Sequence, residues 1–386
     1  MVCVTDLATS GTVSAVGELD RLLHGGVHAT PRPLYSAAVA LISVAGRPVA
    51  VATAGELVRY ADADGTPAPP ADRRPVTEST IFDLASITKL FTSTVLLTLV
   101  EDGVLGLDEP IATWLPSFRA GERRRVTLRQ LLTHTSGLPA LLSLWTDWPD
   151  RETRRRAVLE APLVNLPGEA FEYSCVGFMV AGFLAEQVTG RALPDLVRER
   201  VCAPLGLVDT GYLPGPDRVE RAAATEYQPY VGRGMVRGSV HDENSWSLGG
   251  TAGNAGLFGT AADLARFGEM LRRGGALDGV RVLREETVVE MTRDHLPRAI
   301  DPGFRHGLGP RIGDPTCMGP LAADHAYGHT GFTGTLLVVD PRRELVVVLL
   351  TNRVHPSREW SDVGELRRAV TRLAADLAPA APATTA

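Results

Sequence analysis

Ser86 and Lys89 stand three residues apart in the run Phe82-Asp83-Leu84-Ala85-Ser86-Ile87-Thr88-Lys89-Leu90-Phe91-Thr92. That spacing puts both side chains on one helical face, a turn apart. The helix beginning here, from Ser86 to about Asp102 with Gly103 behind it, is the most apolar in the chain. A lysine in such a helix is costly to bury without a partner. Burial depresses its pKa, and an amine that sheds its proton near neutrality can act as a base. The helix N-terminus favours negative charge developing on the serine oxygen. A hydroxyl activated by an adjacent base is the general arrangement for covalent catalysis. Ser86 also has a structural explanation, because serine is a favoured N-cap.

Two further segments carry chemistry-bearing side chains. Phe171-Glu172-Tyr173-Ser174-Cys175-Val176-Gly177-Phe178 offers a phenol and a thiol, and taken alone Tyr173 reads as a core tyrosine. Tyr327-Gly328-His329-Thr330-Gly331-Phe332-Thr333-Gly334 offers an imidazole among glycines, which let a substrate approach the backbone closely. His325 and His329 are four apart, but Gly328 and Gly331 argue against the helix a metal pair would need. His241-Asp242-Glu243 follows a turn and no H-E-x-x-H occurs, so no metal is expected.

These groups need elements to hold them. Ala37–Val44 and Pro48–Ala54 read as a β-hairpin closed by Ala45-Gly46-Arg47. Gly334–Asp340 and Glu344–Thr351 read as a second hairpin in the same sheet, joined by Pro341-Arg342-Arg343. Helices are expected at Val13–Leu23, at 261–274 and at Asp362–Leu377, with frayed residues at 1–12 and an exposed loop at Asp62–Arg74. Strands at both ends and helices between them give an α/β (α+β) fold of two lobes. The sheet lobe takes roughly 13–85 and 265–377, the mainly helical lobe roughly 86–264, and 378–386 is a disordered tail. The whole chain, 1–386, then forms one catalytic unit with its site in the cleft between the lobes.

Composition excludes several classes. A net charge of −6 gives no electrostatic reason to bind nucleic acid. The short runs Arg123–Arg125 and Arg154–Arg156 read as solvated faces. The richest apolar run, Leu90 to Val100, contains Thr92, Ser93, Thr94 and Thr98 and falls short of the ~20 residues a membrane span needs. Four scattered cysteines and no secretory leader point to a reducing, cytoplasmic setting.

Ser86-Ile87-Thr88-Lys89 resembles the Ser-x-x-Lys motif of serine β-lactamases and penicillin-binding proteins. Leu131-Leu132-Thr133-His134-Thr135-Ser136-Gly137-Leu138 is similar to a segment of the branch that holds class C β-lactamases, D-amino-acid peptidases and related esterases. The likeness covers roughly residues 35 to 355, with the motifs in the family's order. It implies a β-lactamase-like fold, an antiparallel sheet flanked by helices beside a helical lobe. It implies Ser86 as nucleophile, Lys89 beside it, and Tyr173 as the phenol that shares protons with both, first as base and then as acid. Cys175 stands where the family usually has Asn, which weakens recognition of β-lactams and cell-wall peptides; as a nucleophile it is the weaker candidate. Tyr327–Gly334 resembles the Lys-Thr-Gly element, which in esterase-like relatives is His-Thr-Gly. His329 would then hydrogen-bond or bias the Tyr173 region. The backbone N–H groups of Ser86 and Phe332 would form the oxyanion hole, and Cys175, Thr330 and Gly331 would meet the substrate. The loop around Val240–Asn244 and Gly249–Leu257 borders the family's cleft.

The chemistry so implied is a two-step acyl transfer. Ser86 takes an acyl group from an ester, amide or lactam, and a second nucleophile releases it. Water makes the protein a hydrolase; an amine or alcohol acceptor makes it a transacylase. An inactive binding or sensor homologue is the alternative of another class. No cofactor is required.

Overall fold

The structure, a computed structural model, describes residues 5–300, 302–322 and 326–378. The main sheet has seven strands: β1 (Ala37–Val44), β2 (Arg47–Gly55), β3 (Arg305–His306), β4 (Arg311–Ile312), β5 (Tyr327–Thr330), β6 (Leu336–Asp340) and β7 (Leu345–Thr351). They run antiparallel in the order β3-β4-β5-β6-β7-β1-β2. The two expected hairpins join through β1 and β7, with Ala38 opposite Thr351 and Val44 opposite Leu345. First and last parts of the chain thus build one sheet.

Both faces of that sheet are covered, which explains why its central strands β1, β6 and β7 are apolar except at Ser43, Asp340 and Thr351. Val39, Leu41, Leu337, Val339, Val346 and Val348 face one core. Ala38, Ala40, Ile42, Leu336, Val338 and Val347 face the other. The alternation is the two-residue period of a strand. Helix α1 (Thr5–Val27) and the C-terminal helix Gly364–Leu377 cover the second face through Leu19, Leu23, Leu366 and Val370. The first face meets Ala261–Arg272, whose Leu264, Phe267 and Met270 point into it.

Helix α2 (Thr88–Glu101) lies beneath, buried from Thr88 to Leu99, with Phe91 stacked on Phe267 at 4.0 Å between ring centroids. A helix apolar on all sides belongs at the centre of a protein. Helix α3 (Cys175–Thr189) crosses beside it. Ala261–Arg272 is helix α4 and Gly364–Leu377 is helix α5.

Several expectations need correction. Helix α1 starts at Thr5, so the stretch read as frayed is helical from there, and residues 1–4 lie outside the described ones. Once Leu19 and Leu23 anchor the helix, each added residue gains a backbone bond without a new nucleation cost. The segment between α2 and α4 is less helical than its expected lobe. It holds Gly211–Tyr212 and Leu257–Gly259, which form a small sheet with Phe82–Asp83, and a ribbon of Tyr227–Gln228 with Arg233–Met235. Those strands are two or three residues long, too short for period two to register. Of the expected tail, 379–386 lie outside the described residues. Among described residues, no helix is long and apolar enough to cross a membrane.

Candidate active site

The Ser86 turn hangs on a buried carboxylate. Asp83 accepts the Ala85 N–H at 2.9 Å and the His241 N–H at 2.6 Å. Burial raises the Asp83 pKa, against the pull of those two bonds. Ala85 takes φ +47, in the left-handed region that a non-glycine residue rarely enters. Ala85–Ile87 then forms a 3-10 turn, and the α-helix starts only at Thr88. Ser86 therefore caps nothing, contrary to the N-cap explanation: neither helix start has a side-chain cap. Its hydroxyl accepts from Lys89 Nζ at 2.9 Å.

Lys89 is fully buried, and its ammonium reaches three acceptors. Besides Ser86 they are the Asn254 carbonyl at 3.1 Å and the Cys175 sulfur at 3.7 Å. The Tyr173 ring lies 4.9 Å from Nζ. Burial pulls the lysine pKa down, but Cys175 and Tyr173 outweigh it and hold it above its ordinary value. This reverses the expectation of a depressed lysine. Apolar neighbours were legible in the sequence; the acceptors converging from distant segments were not.

Tyr173 and Cys175 flank Ser174, the N-cap of α3. Ser174 accepts the Gly177 N–H at 2.8 Å as the N-cap and donates to the Pro139 carbonyl at 2.6 Å. Both roles occupy its hydroxyl. Burial pushes the Cys175 thiol up, against the nearby lysine.

The third motif is tied to the first by backbone contacts. Thr333 Oγ1 donates to the Asp83 carbonyl at 2.8 Å, and Thr335 Oγ1 to the Leu84 carbonyl at 3.1 Å. Gly331 sits so close that a Cβ there would come 2.7 Å from the Leu84 oxygen. The N–H groups of Ser86 and Phe332 donate to no other backbone group of the described residues. His329 departs from its expected place. It is sealed from solvent, donates Nδ1–H to the Thr330 carbonyl at 2.7 Å, and makes no hydrogen bond to Tyr173. Its ring centroid lies 6.0 Å from that of Tyr173. Burial holds it well below the ordinary histidine value, so it brings no charge.

These parts surround a cavity of about 690 Å³. Ser86, Tyr173, Cys175, Thr330, Gly331 and Phe332 line it. Asn254, Arg311 and Arg367 line it too and were not singled out in the sequence. Asn254 lies in a glycine-rich loop that must pass close under α3: a Cβ on Gly253 would fall 2.0 Å from the Phe178 oxygen. That glycine density was the available signal. Among the described residues no cluster of His, Cys, Asp and Glu could hold a metal ion; His325 lies outside them.

Four buried histidines surround or support this region, and they predict acid lability. Burial pushes His306 down to about 3 and His355 to about 4, and it holds His134 and His329 well below their ordinary value. In His355, Nδ1–H donates to the Thr225 carbonyl while Nε2 accepts the Arg59 and Tyr60 N–H groups, which fixes the neutral ring. Below pH ~6.5 the unfolded chain binds protons that the folded one refuses, so stability falls on acidification. Each group contributes about 1.4 kcal/mol per pH unit. Urea midpoints between pH 6.5 and 4.5 should show this slope, made shallower in His355→Gln. An unchanged slope in that variant would contradict the assignment.

A serine hydrogen-bonded to a lysine one helical turn on, at a cavity beside an antiparallel sheet, is an arrangement suited to serine acyl transfer. Comparison with known proteins agrees. A family model described as Beta-lactamase matches residues 34–372. The curated protein "Putative D-alanyl-D-alanine carboxypeptidase" of Escherichia coli (strain K12) is 33% identical over 312 residues, 72% of this chain and 70% of that one. Among solved structures, EstCE1, "a hydrolase with promiscuous acyltransferase activity", superposes with a TM-score of 0.71 at 24% identity, covering 95% of this chain and 100% of that one. Simvastatin synthase from Aspergillus terreus, as its LovD6 mutant, gives 0.71 at 22% identity, covering 96% and 97%. The chain belongs to the beta-lactamase family, and its chemistry is serine acyl transfer.

Proposed function

We propose that the protein forms an acyl-enzyme at Ser86 from small-molecule esters and releases it to water. The observation that carries this is the Lys89 Nζ to Ser86 Oγ bond of 2.9 Å at the cavity wall. Ser86 Oγ attacks the ester carbonyl while its proton passes to the Tyr173 oxygen, which enters the step deprotonated. The oxyanion takes hydrogen bonds from the Ser86 and Phe332 N–H groups, donors worth roughly 10²–10³ in rate each. Tyr173 then gives its proton to the leaving alkoxide as the ester bond breaks. Water attacks the acyl-enzyme and gives a proton to Tyr173, which passes it to the Ser86 oxygen as the acyl bond breaks and the acid leaves. Lys89 acts as a fixed positive charge beside both oxygens. His329 shapes the wall behind Tyr173. A sheet lobe of roughly 13–85 and 265–377 and a helical lobe of roughly 86–264 form the cleft's two sides.

The cavity is larger than a short acyl ester fills. That favours a second reading, transfer of the acyl group to an amine or alcohol. The free thiols of Cys175, Cys202 and Cys317 support a reducing, cytoplasmic setting.

Substrate choice tests the proposal. Cys175 replaces a side-chain amide with a weak donor and acceptor, and Ser174 is occupied as a cap, so an acylamide substrate finds little to hold it. p-Nitrophenyl acetate should show a kcat/KM at least about 10²-fold above nitrocefin. Mass spectrometry should find the acetyl group on Ser86, and added amines should raise product release if transfer competes with hydrolysis. A higher kcat/KM for nitrocefin would overturn the ester assignment.

A further inference from the structure

We propose that His134 is the positioning residue for Tyr173; this rests on the proton-carrying role of Tyr173 given above. The chain on both sides of Tyr173 is bonded to this one residue. The Glu172 N–H donates to the His134 carbonyl oxygen at 2.9 Å. The Ser174 N–H donates to His134 Nδ1, also at 2.9 Å. The rings of His134 and Tyr173 lie 4.6 Å apart, tilted by 37°. Peptide before, peptide after and ring between all rest on His134.

The residue type suits the task. Its backbone is left-handed, with φ +58, a region in which His and Asn are enriched. Nδ1 accepts an N–H, so the ring proton sits on Nε2, and Nε2 has no partner among the described residues. His134 is sealed from solvent and does not line the cavity. The groups that face it are His306, Lys89, His329 and Arg311, and burial with these neighbours keeps the ring neutral. A neutral ring keeps Nδ1 free to accept.

The neighbouring backbone extends the same cradle. Cys175 N–H donates to the Ala140 carbonyl at 2.9 Å, and Gly168 N–H to the Thr135 carbonyl at 2.7 Å. His134 and Thr135 thus serve the reaction from outside the cavity lining. Their effect must appear as misplacement of the Tyr173 oxygen relative to Ser86, and an error of about 1 Å costs about 10²-fold in rate.

The test compares His134→Asn, His134→Gly and His134→Gln. Asn tolerates φ above zero and offers an oxygen where Nδ1 sits. Gly keeps the backbone at ease but removes the acceptor. Gln, the second variant should Gly not fold, carries its oxygen one bond too far out. Acylation by p-nitrophenyl acetate is measured before the steady state, with rates scaled to burst amplitude so that unfolded protein does not count. Gly and Gln should lower the acylation rate constant about 10²-fold with KM little changed, and Asn should recover most of it. In a Tyr173→Phe background, His134→Gly should cost less than about threefold more. An Asn variant as slow as Gly, or a full loss added on top of Tyr173→Phe, would overturn the positioning role. If Tyr173→Phe alone acylates at the wild-type rate, the role given to Tyr173 falls first and this inference with it.

Discussion

Ser86→Ala should yield a folded protein that forms no acyl-enzyme. Turnover of p-nitrophenyl acetate should drop by at least about 10³-fold, because the bond-forming atom is gone and only the oxyanion donors and binding remain. The structure separates this from a folding defect. Ser86 caps neither the 3-10 turn nor α2, so the N-cap loss of about 1 kcal/mol does not apply. Lys89 keeps Asn254 and Cys175 as partners, and the cavity can hydrate its third N–H. The melting temperature should move by no more than about 3 °C. Intact-mass spectrometry after ester treatment should show the acyl adduct on the parent and none on the variant. A variant that keeps parental turnover would remove Ser86 from the mechanism.

The sheet was legible because its strands carry two signals at once. β1 and β7 are continuous apolar runs bounded by turn residues, and Ala45-Gly46 and Pro341-Arg342-Arg343 mark the hairpins. Which hairpin strands meet was also within reach, since only the apolar strands suit the sheet's centre. The short strands β3 and β4 at one side of the sheet were not legible. Two residues carry no period. The same limit hid the small sheet of Phe82–Asp83, although that sheet delivers Ser86 to the cleft.

At the site, residue types were legible and protonation states were not. The Ser-x-x-Lys spacing placed Ser86 and Lys89 together because three residues make one helical turn. Whether burial or partners decide the lysine charge depends on Cys175, Tyr173 and Asn254, which lie 84 to 165 positions away. His329 shows the converse. Its motif suggested a polar group facing Tyr173, yet its ring turns to its own neighbour's carbonyl. His134 was visible only as part of a similar segment; no spacing rule connects it to a tyrosine 39 positions on.

Lys89→Ala and Tyr173→Phe should each lower the acylation rate by about 10³-fold or more, and the double variant should be little slower than the slower single one. The physical reason is that the two side chains share one proton transfer. Lys89 Nζ lies 2.9 Å from the Ser86 oxygen and 4.9 Å from the Tyr173 ring centroid, so its charge favours negative oxygen on either side. Without the charge the phenol oxygen is a poor acceptor; without the phenol oxygen the charge has no proton carrier to support. Groups that act as a unit lose their function once, and residues in contact are the ones that fail to add. The lysine change also strips the buried Asn254 carbonyl of a donor, at about 1–3 kcal/mol, so stability must be measured beside rate. Lys89→Arg should not rescue, because a planar fork cannot take the place of a compact ammonium among three close acceptors. The raised lysine pKa fixes the pH dependence. The protonated form extends above the ordinary value of 10.5, so acylation should not weaken on the alkaline side until pH passes that range. Independent, multiplicative losses would show that the two residues do not share a step. A lysine-dependent rise in rate between pH 6 and 8 would instead make Lys89 the base, and the ammonium assignment would be wrong.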